Sequence, residues 1–398
     1  MSNERVELAT RVMILAMSII ALIAMTSCEG KNEAPGLKPM DHATLLSIED
    51  GDGYAVARIK NPWDTTRLIQ TLVLTDDVTR SDLPEGTRIK VPVSHTLVMT
   101  TVHSSLMREM GCLDAIAGVC DPEYLTVREL QESVRKGQVA DCGSSRSPSI
   151  ERIMALHPDA ILLSPYEKMD LKKLQNTGIP IIQCADYMEK TPLGRAEWIR
   201  FYGLLTGRRA VADSIFNATH KRYEELKAVA GKARKTPTVL SDMRYGQIWY
   251  VPSATSTIGQ MYNDANAANP FTDKDITAGS IPMSPEQVLM KARHADIWMI
   301  KTGQDVTKQT LDNDNPIYKE FDAYRTGNIW TCNTMTTAFF DEVPFHPDYL
   351  LADFIRIFHP ELNIPGKNRY YTKAKQQQAA ADREPCQAKN TALPHPTP

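Results

Sequence analysis

The sequence predicts an α/β protein: two βαβ lobes with parallel-rich sheets joined by one long helix, plus a small N-terminal β-rich extension. Three observations predict it. From residue 96 onward, short apolar runs alternate with helical patterns, the rhythm of a parallel sheet covered on both faces. One uninterrupted helical pattern, residues 209 to 232, divides that rhythm into halves. A short echo then recurs on either side of it. Ser149-Ile150-Glu151-Arg152-Ile153-Met154 precedes Asp159-Ala160-Ile161, and Ser284-Pro285-Glu286-Gln287-Val288-Leu289 precedes Ala295-Asp296-Ile297. Each is a Ser, a Glu two positions on, a helical apolar run, and an Asp beside a strand.

The chain starts differently. Residues 12 to 25 carry no charge and follow Arg5 and Arg11. A cationic start, a short apolar core and small residues before Cys28 read as a secretory signal peptide. The run is short of the roughly 20 residues a spanning helix needs. Met25-Thr26-Ser27-Cys28 resembles the lipobox of bacterial lipoproteins, and that resemblance implies that residues 1–28 are a signal peptide ending at a lipidated Cys28. Residues 29–43 are polar and read as a flexible tether. Residues 44–95 alternate apolar runs with turns, among them Asp50-Gly51-Asp52-Gly53, and form the β-rich extension.

Strands follow at 97–99, 115–119, 160–163 and 180–183, making an N-terminal lobe of residues 96–206. The connecting helix belongs to residues 207–235. Ala210, Ile215, Tyr223, Leu226 and Val229 recur at helical spacing, and Gly231 and Pro237 mark its end. Strands at 238–240, 248–251, 295–300 and 328–330, then a helix at 349–358, make a C-terminal lobe of residues 236–366. Residues 367–398, rich in Gln, Ala and Pro, read as a disordered tail.

Composition narrows the function. The hydrophobic share of 42% builds real cores, and a net charge of −3 leaves no footprint for nucleic acid. Six cysteines beyond Cys28 lack the paired spacing of a zinc site. Export permits disulfides. Cys120 and Cys142, both beside strand ends, are the favoured pair, with buried free thiols the alternative. No G-x-S-x-G, H-E-x-x-H, P-loop or G-x-G-x-x-G is present. His103-Ser104-Ser105 is a polar loop rather than a triad, since adjacent residues do not make one. The chain is read as a non-enzyme.

Two lobes, one connecting helix and export together resemble the periplasmic substrate-binding proteins of ABC importers. The resemblance is to the helical-hinge class that binds vitamin B12, ferric siderophores and haem. It covers residues 96 to 362. Met110-Gly111-Cys112-Leu113-Asp114-Ala115-Ile116-Ala117-Gly118-Val119 is similar to one family motif, and residues 149 to 162 to a second. Residues 198 to 207 resemble the approach to the hinge helix, and Ser284-Pro285-Glu286 its second-lobe counterpart. Asn61-Pro62-Trp63 resembles a lipoprotein branch.

The resemblance implies a protein anchored by lipid to a membrane facing the periplasm. It would capture a metal chelate and deliver it to the permease dimer of an ABC importer. No intrinsic cofactor is expected; ferric siderophore, haem and cobalamin are the candidate cargoes. A large flat ligand needs aromatic contacts with a few polar anchors, in loops at strand ends. Thr101, His103, Tyr124 and Tyr166 in the first lobe, and Arg244, Tyr245, Trp249 and Tyr250 in the second, are the candidates. Arg244 would pair with an anionic chelate; a Tyr or His would ligate haem iron. The family resemblance further assigns Glu151 and Glu286 to docking on permease arginines. The alternatives are a metal-ion binder of the same class, for which His103 would be a first ligand, and an exported chelatase or hydrolase.

Overall fold

A computed structural model describes residues 40–272 and 279–376. The expected signal peptide and its Cys28 lie outside these described residues. Chain order begins with β1 (Leu46–Gly51), β2 (Tyr54–Asn61), β3 (Asp64–Thr75) and β4 (Thr87–Lys90), one sheet in that order. β1 and β2 turn through Asp52-Gly53, with Gly51 opposite Tyr54 and Gly53 at φ 74°, a left-handed conformation that glycine adopts without strain. Asn61 Oδ1 accepts from the Trp63 N–H at 2.9 Å and closes the next turn.

This sheet shares the core of the first lobe. Leu45, Ala57, Ile59, Leu72 and Ile89 pack in one cluster with Val98, Leu106, Ile116, Leu162 and Ile182. Its strand β3 also caps the lobe's edge. The Gln70 side-chain amide donates to Ile181 O at 2.5 Å and accepts from Gln183 N at 3.1 Å. An edge strand's exposed backbone groups invite foreign pairing; one side chain here occupies two of them.

The first lobe contains β5 (Thr96–Val98), α1 (Thr101–Glu109), β6 (Ile116–Val119), α2 (Arg128–Arg135) and β7 (Ala140–Asp141). A hairpin of β8 (Gly143–Ser144) and β9 (Ser147–Pro148) follows. Then come α3 (Ile150–Leu156), β10 (Ala160–Leu163), α4 (Lys172–Gln175), β11 (Ile181–Gln183), α5 (Pro192–Glu197) and α6 (Ile199–Leu205). Its sheet runs β11-β10-β5-β6-β7, all parallel.

The hinge is α7 (Arg209–Ala230). Its buried residues are Ala212, Phe216, Thr219, Tyr223, Leu226 and Ala230, a stripe stepping by four and three. Of the five positions expected from the sequence, only Tyr223 and Leu226 lie on this stripe. Ala212 and Phe216 belong to the first lobe's core; Tyr223, Leu226 and Ala230 belong to the second's. Gly203 lets α6 press onto α7, since a Cβ there would lie 2.5 Å from the Ala212 Cβ. The lobes are also cross-bolted. Leu193 packs in the second lobe's cluster, and Phe345 in the first lobe's.

The second lobe contains β12 (Val239–Ser241), β13 (Arg244–Tyr245), β14 (Ile248–Pro252), α8 (Thr257–Asp264), β15 (Ser280–Met283), α9 (Pro285–Ala292) and β16 (Ile297–Thr302). It continues with α10 (Lys308–Asp314), α11 (Asp322–Arg325), β17 (Ile329–Asn333), α12 (Phe339–Glu342), α13 (Pro347–Phe358) and β18 (Thr372–Lys373). Parallel β12-β16-β17 is extended by antiparallel β18, and β13-β14-β15 form a separate antiparallel sheet.

Two expectations are corrected. Residues 367 to 376 are not a structureless tail. The buried Asp353 carboxylate accepts the backbone N–H groups of Arg369 (2.8 Å), Tyr370 (2.7 Å) and Tyr371 (3.3 Å), and both tyrosines are buried. This folds the segment back so that β18 completes the sheet. Cys120 and Cys142 do not pair; all five described cysteines are free and buried. Burial pushes the Cys120 thiol up to about 12, which suppresses the thiolate that oxidation requires.

The echo in the sequence is a structural repeat. Ser149 Oγ accepts from Arg152 N and Ser284 Oγ from Gln287 N, each at 3.3 Å, capping α3 and α9. Asp159 Oδ2 accepts the Ser94 and His95 N–H groups at 3.0 Å, and Asp296 Oδ2 accepts Thr238 N–H at 2.8 Å. In each lobe the aspartate therefore ties the next strand to the start of the lobe's first strand.

Residues 41 to 45 are held by two buried glutamates. Glu197 accepts the N–H groups of His42 and Ala43, each at 2.8 Å. Glu189 accepts those of Thr44 and Leu45 at 3.0 and 2.8 Å, and the Trp198 indole N–H at 3.0 Å. Glu189→Ala would orphan two buried donors, Leu45 N–H and the Trp198 indole, and the part-buried Thr44 N–H, and is expected to cost about 2–4 kcal/mol of stability. Urea unfolding of the variant measures it; a loss below about 0.5 kcal/mol, the size of an ordinary surface substitution, would show that this clamp does not hold the β-sheet to the lobe.

Candidate functional site

The lobes meet over the carboxyl ends of their strands, where open α/β sheets place ligands. At the floor, Asp341 of α12 reaches the other lobe. Its Oδ2 accepts from Thr126 Oγ1 at 2.6 Å, and the Thr101 hydroxyl lies near enough to favour its charged form. Burial raises the Asp341 carboxyl pKa against those two hydroxyls, and its Oδ1 is buried without a hydrogen-bond partner. A further bridge joins His346 Nε2 to Glu109 at 2.8 Å.

Four predicted contacts are exposed. Tyr124 follows β6 and Tyr166 follows β10. Tyr245 lies on β13. Tyr250 lies on β14, facing away from Trp249 by the alternation of a strand. Thr101 opens α1 and is half-buried against Asp341.

Three others are corrected. Trp249 is fully buried; its indole N–H donates to Ser241 O at 2.8 Å and its ring packs on Trp298, Tyr318 and Phe321. Alternation on β14 places one of the adjacent pair inside, and the larger apolar ring takes the core. Arg244 is committed to Asp314, donating from Nε and Nη2 at 3.0 Å each, and to Gly246 O at 2.6 Å. A ligand anion would have to break that pair.

His103 is the third, and is also fully buried. It belongs to α1 rather than to a loop, so its ring turns into the lobe. Nδ1 bonds Thr100 Oγ1 at 2.6 Å and Nε2 bonds Tyr202 Oη at 2.9 Å. Tyr202 donates to Asp186 Oδ1 at 3.0 Å, and Arg195 Nε stands 3.6 Å from Asp186 Oδ2. Burial by itself would lower the imidazole pKa. The Cys184 sulfur, then Asp186, outweigh it and push it up to about 10. Asp186 is held below its usual range despite burial, by His103 and Arg195. The result is a buried charged network that ties α1, α5, α6 and the end of β11 together. Its Tyr202 ring meets Phe345 edge-on at 5.8 Å. Nothing in it faces a ligand.

Sequence reasoning missed the second lobe's contribution after β16 and β17. Met335 and Phe340 are exposed there, and the Lys301 ammonium sits 5.8 Å from the Phe340 ring centroid, within cation–π range. Phe339-Phe340 directly after a strand-end loop was the available signal. Among the described residues, no group of three or more His, Cys, Asp or Glu is placed to hold a metal ion. A groove of about 740 Å³ lies elsewhere, lined by Glu224 and Lys227 of α7, Thr191, Gln260 and Asn263. It also reaches Thr236, before the amino end of β12, so it is distinct from the strand-end cleft.

Residues 115–334 match the periplasmic binding protein family, and the chain belongs to that family, in its helical-hinge class. An uncharacterised lipoprotein of Methanocaldococcus jannaschii is 25% identical over 303 residues, 72% of this chain and 70% of its own length. A periplasmic haem-binding protein of Pseudomonas aeruginosa superposes with a TM-score of 0.55 at 18% identity, covering 72% of this chain and 99% of its own. An ABC-type Fe3+-hydroxamate transport protein of Saccharomonospora viridis gives 0.50 at 19%, covering 67% and 94%. At such identities the superpositions establish the fold.

The His103 network makes a pH prediction. The imidazole titrates near 6.5 unfolded and near 10 folded. Its stabilisation is therefore complete below pH 6.5 and is lost as pH rises toward 10. The difference in Tm between the wild type and His103→Gln should shrink steadily over that interval. A difference that stays constant, measured by thermal melts from pH 6 to 10, would mean that His103 is neutral in the fold.

Proposed function

We propose that this protein is an exported, lipid-anchored, non-enzymatic solute-binding protein. It takes an iron chelate (ferric siderophore or haem) or cobalamin between its lobes and presents it to an ABC importer permease dimer. The observation that carries the reading is a helical-hinge family fold whose strand-end loops expose aromatic and thioether side chains on both lobes. Tyr124 and Tyr166 stand on one side; Tyr245, Phe340 and Met335 stand on the other. Flat apolar surfaces, with Lys301 held between Asp242 and the Phe340 ring, suit a large ring or a hydrophobic chelate better than a bare ion. The burial of His103 removes the one residue from which an ion-binding set was expected to start. The haem- and Fe3+-hydroxamate-associated neighbours and the lipoprotein relative point the same way.

The mature chain should be titrated with haemin, ferric hydroxamate siderophore and cyanocobalamin, following its intrinsic fluorescence. One of the three is expected to bind, and Tyr166→Ala with Phe340→Ala to weaken it by about tenfold or more. No binding of any of the three would refute the proposed cargo.

Glu151 and Glu286 support the docking half of the reading. Both are exposed at the second position of matched helices. Ser149 and Ser284 supply the caps and Gln287 closes the capping box of α9. Glu286 adds to its helix start, the Ser284 hydroxyl and its own N–H lowering its carboxyl pKa, whereas Glu151 has no such partner among the described residues to explain it. Like charges at equivalent places on two lobes suit a two-fold partner bearing arginines. Glu151→Ala with Glu286→Ala should leave ligand affinity and Tm nearly unchanged while strongly reducing uptake. Normal uptake by the double variant would refute docking through these residues.

A further inference from the structure

The two rims share a second feature. On a helix, residues three or four apart lie side by side. Met154 follows Glu151 by three and is 42% exposed; Met290 follows Glu286 by four and is 78% exposed. They are the only exposed large apolar side chains of α3 and α9. Between each Glu and its Met stands one fully buried anchor, Ile153 or Val288. That anchor fixes the helix on its lobe and leaves the Glu–Met face outward. One exposed methionine is ordinary. Two, each about a helical turn from the glutamate of its own lobe, three residues on in α3 and four in α9, set a long flexible thioether beside both carboxylates, on opposite flanks of them.

We infer that Met154 and Met290 are the apolar anchors of the permease-docking surface, each entering an apolar pocket beside the cation that receives the neighbouring glutamate. The inference rests on the docking reading above. The physical need is clear. Exposed ion pairs are weak because water and salt screen them, so they steer approach more than they hold. Retention comes from side chains that are desolvated in pockets. Methionine suits this, being unbranched, polarisable and adaptable to an irregular pocket. The partner's chemistry is thus specified: two equivalent subunits, each presenting a guanidinium or ammonium beside an apolar depression one helical turn away. The glutamates set the association rate and its salt dependence, and the methionines set the dissociation rate.

The test uses the full chain and a nanodisc-reconstituted permease dimer of an iron-chelate or cobalamin importer that binds the unmodified chain. Association and dissociation are measured at low and high salt. Met154→Gln with Met290→Gln keeps side-chain length; it should leave Tm unchanged, raise the dissociation rate by roughly tenfold or more, and preserve the salt dependence. Met154→Leu with Met290→Leu should restore most of the retention. Glu151→Ala with Glu286→Ala should instead slow association and flatten its salt dependence. If the glutamate pair weakens binding and the glutamine pair does not, the methionine inference falls and docking through the glutamates stands. If neither pair weakens binding, both fall.

Discussion

The geometry of this protein hangs on one stripe of six side chains along α7. Its amino half is buried in one core and its carboxyl half in the other. A helix resists bending because every turn would have to stretch its own hydrogen bonds. Two cores fastened to one such rod hold a fixed separation and angle. Leu193 and Phe345, each packed in the opposite lobe's core, add resistance where the helix alone would twist. Asp341 adds a direct bridge between the lobes at the carboxyl ends of their strands.

Buried carboxylates do the next most important work. Glu189 and Glu197 gather the backbone of residues 42 to 45, and Asp353 gathers that of residues 369 to 371. Asp186 gathers His103 and Tyr202. A buried carboxylate is costly unless hydrogen bonds satisfy it, so each specifies the segment that supplies the donors. Two of these segments lie near the ends of the described chain, where low apolar content would otherwise leave the backbone unsettled. The β-sheet at the front and the returning strand at the back are ordered by these acceptors as much as by hydrophobic burial.

The repeat between lobes has consequences at the surface. Matching serine caps and strand-tying aspartates place α3 and α9 equivalently on their lobes. Any exposed residue near the start of one helix thereby has a counterpart on the other. A single chain with only a short internal echo thereby carries matched surface positions on its two lobes. The same construction leaves the strand-end loops free to differ, Tyr124 and Tyr166 on one lobe and Tyr245, Met335 and Phe340 on the other.

Much of this was determined by the sequence alone. Period-two and period-3.6 patterns placed the longer strands and the hinge but not the short β7, β8, β9, β13, β15 and β18, and Ser-x-Glu with its following aspartate marked the repeat. These are local signals, and local geometry decides them. What tertiary structure decided was which way each side chain turned. His103 read as a loop ligand because Thr100-Thr101 looked like a loop; helix α1 begins there and rotates the ring into the core. Trp249 and Tyr250 were equivalent until β14 found its partners and buried one face. The hinge stripe was misread at Ala210, which is exposed, and at Ile215 and Val229, which are only partly buried at its flanks, because an apolar letter does not say how far a residue is buried. Tyr370 and Tyr371 were assigned to a tail because their acceptor, Asp353, lies 17 and 18 residues back along the chain. Facing, register and long-range acceptance depend on what packs opposite, and only the folded chain supplies that neighbour.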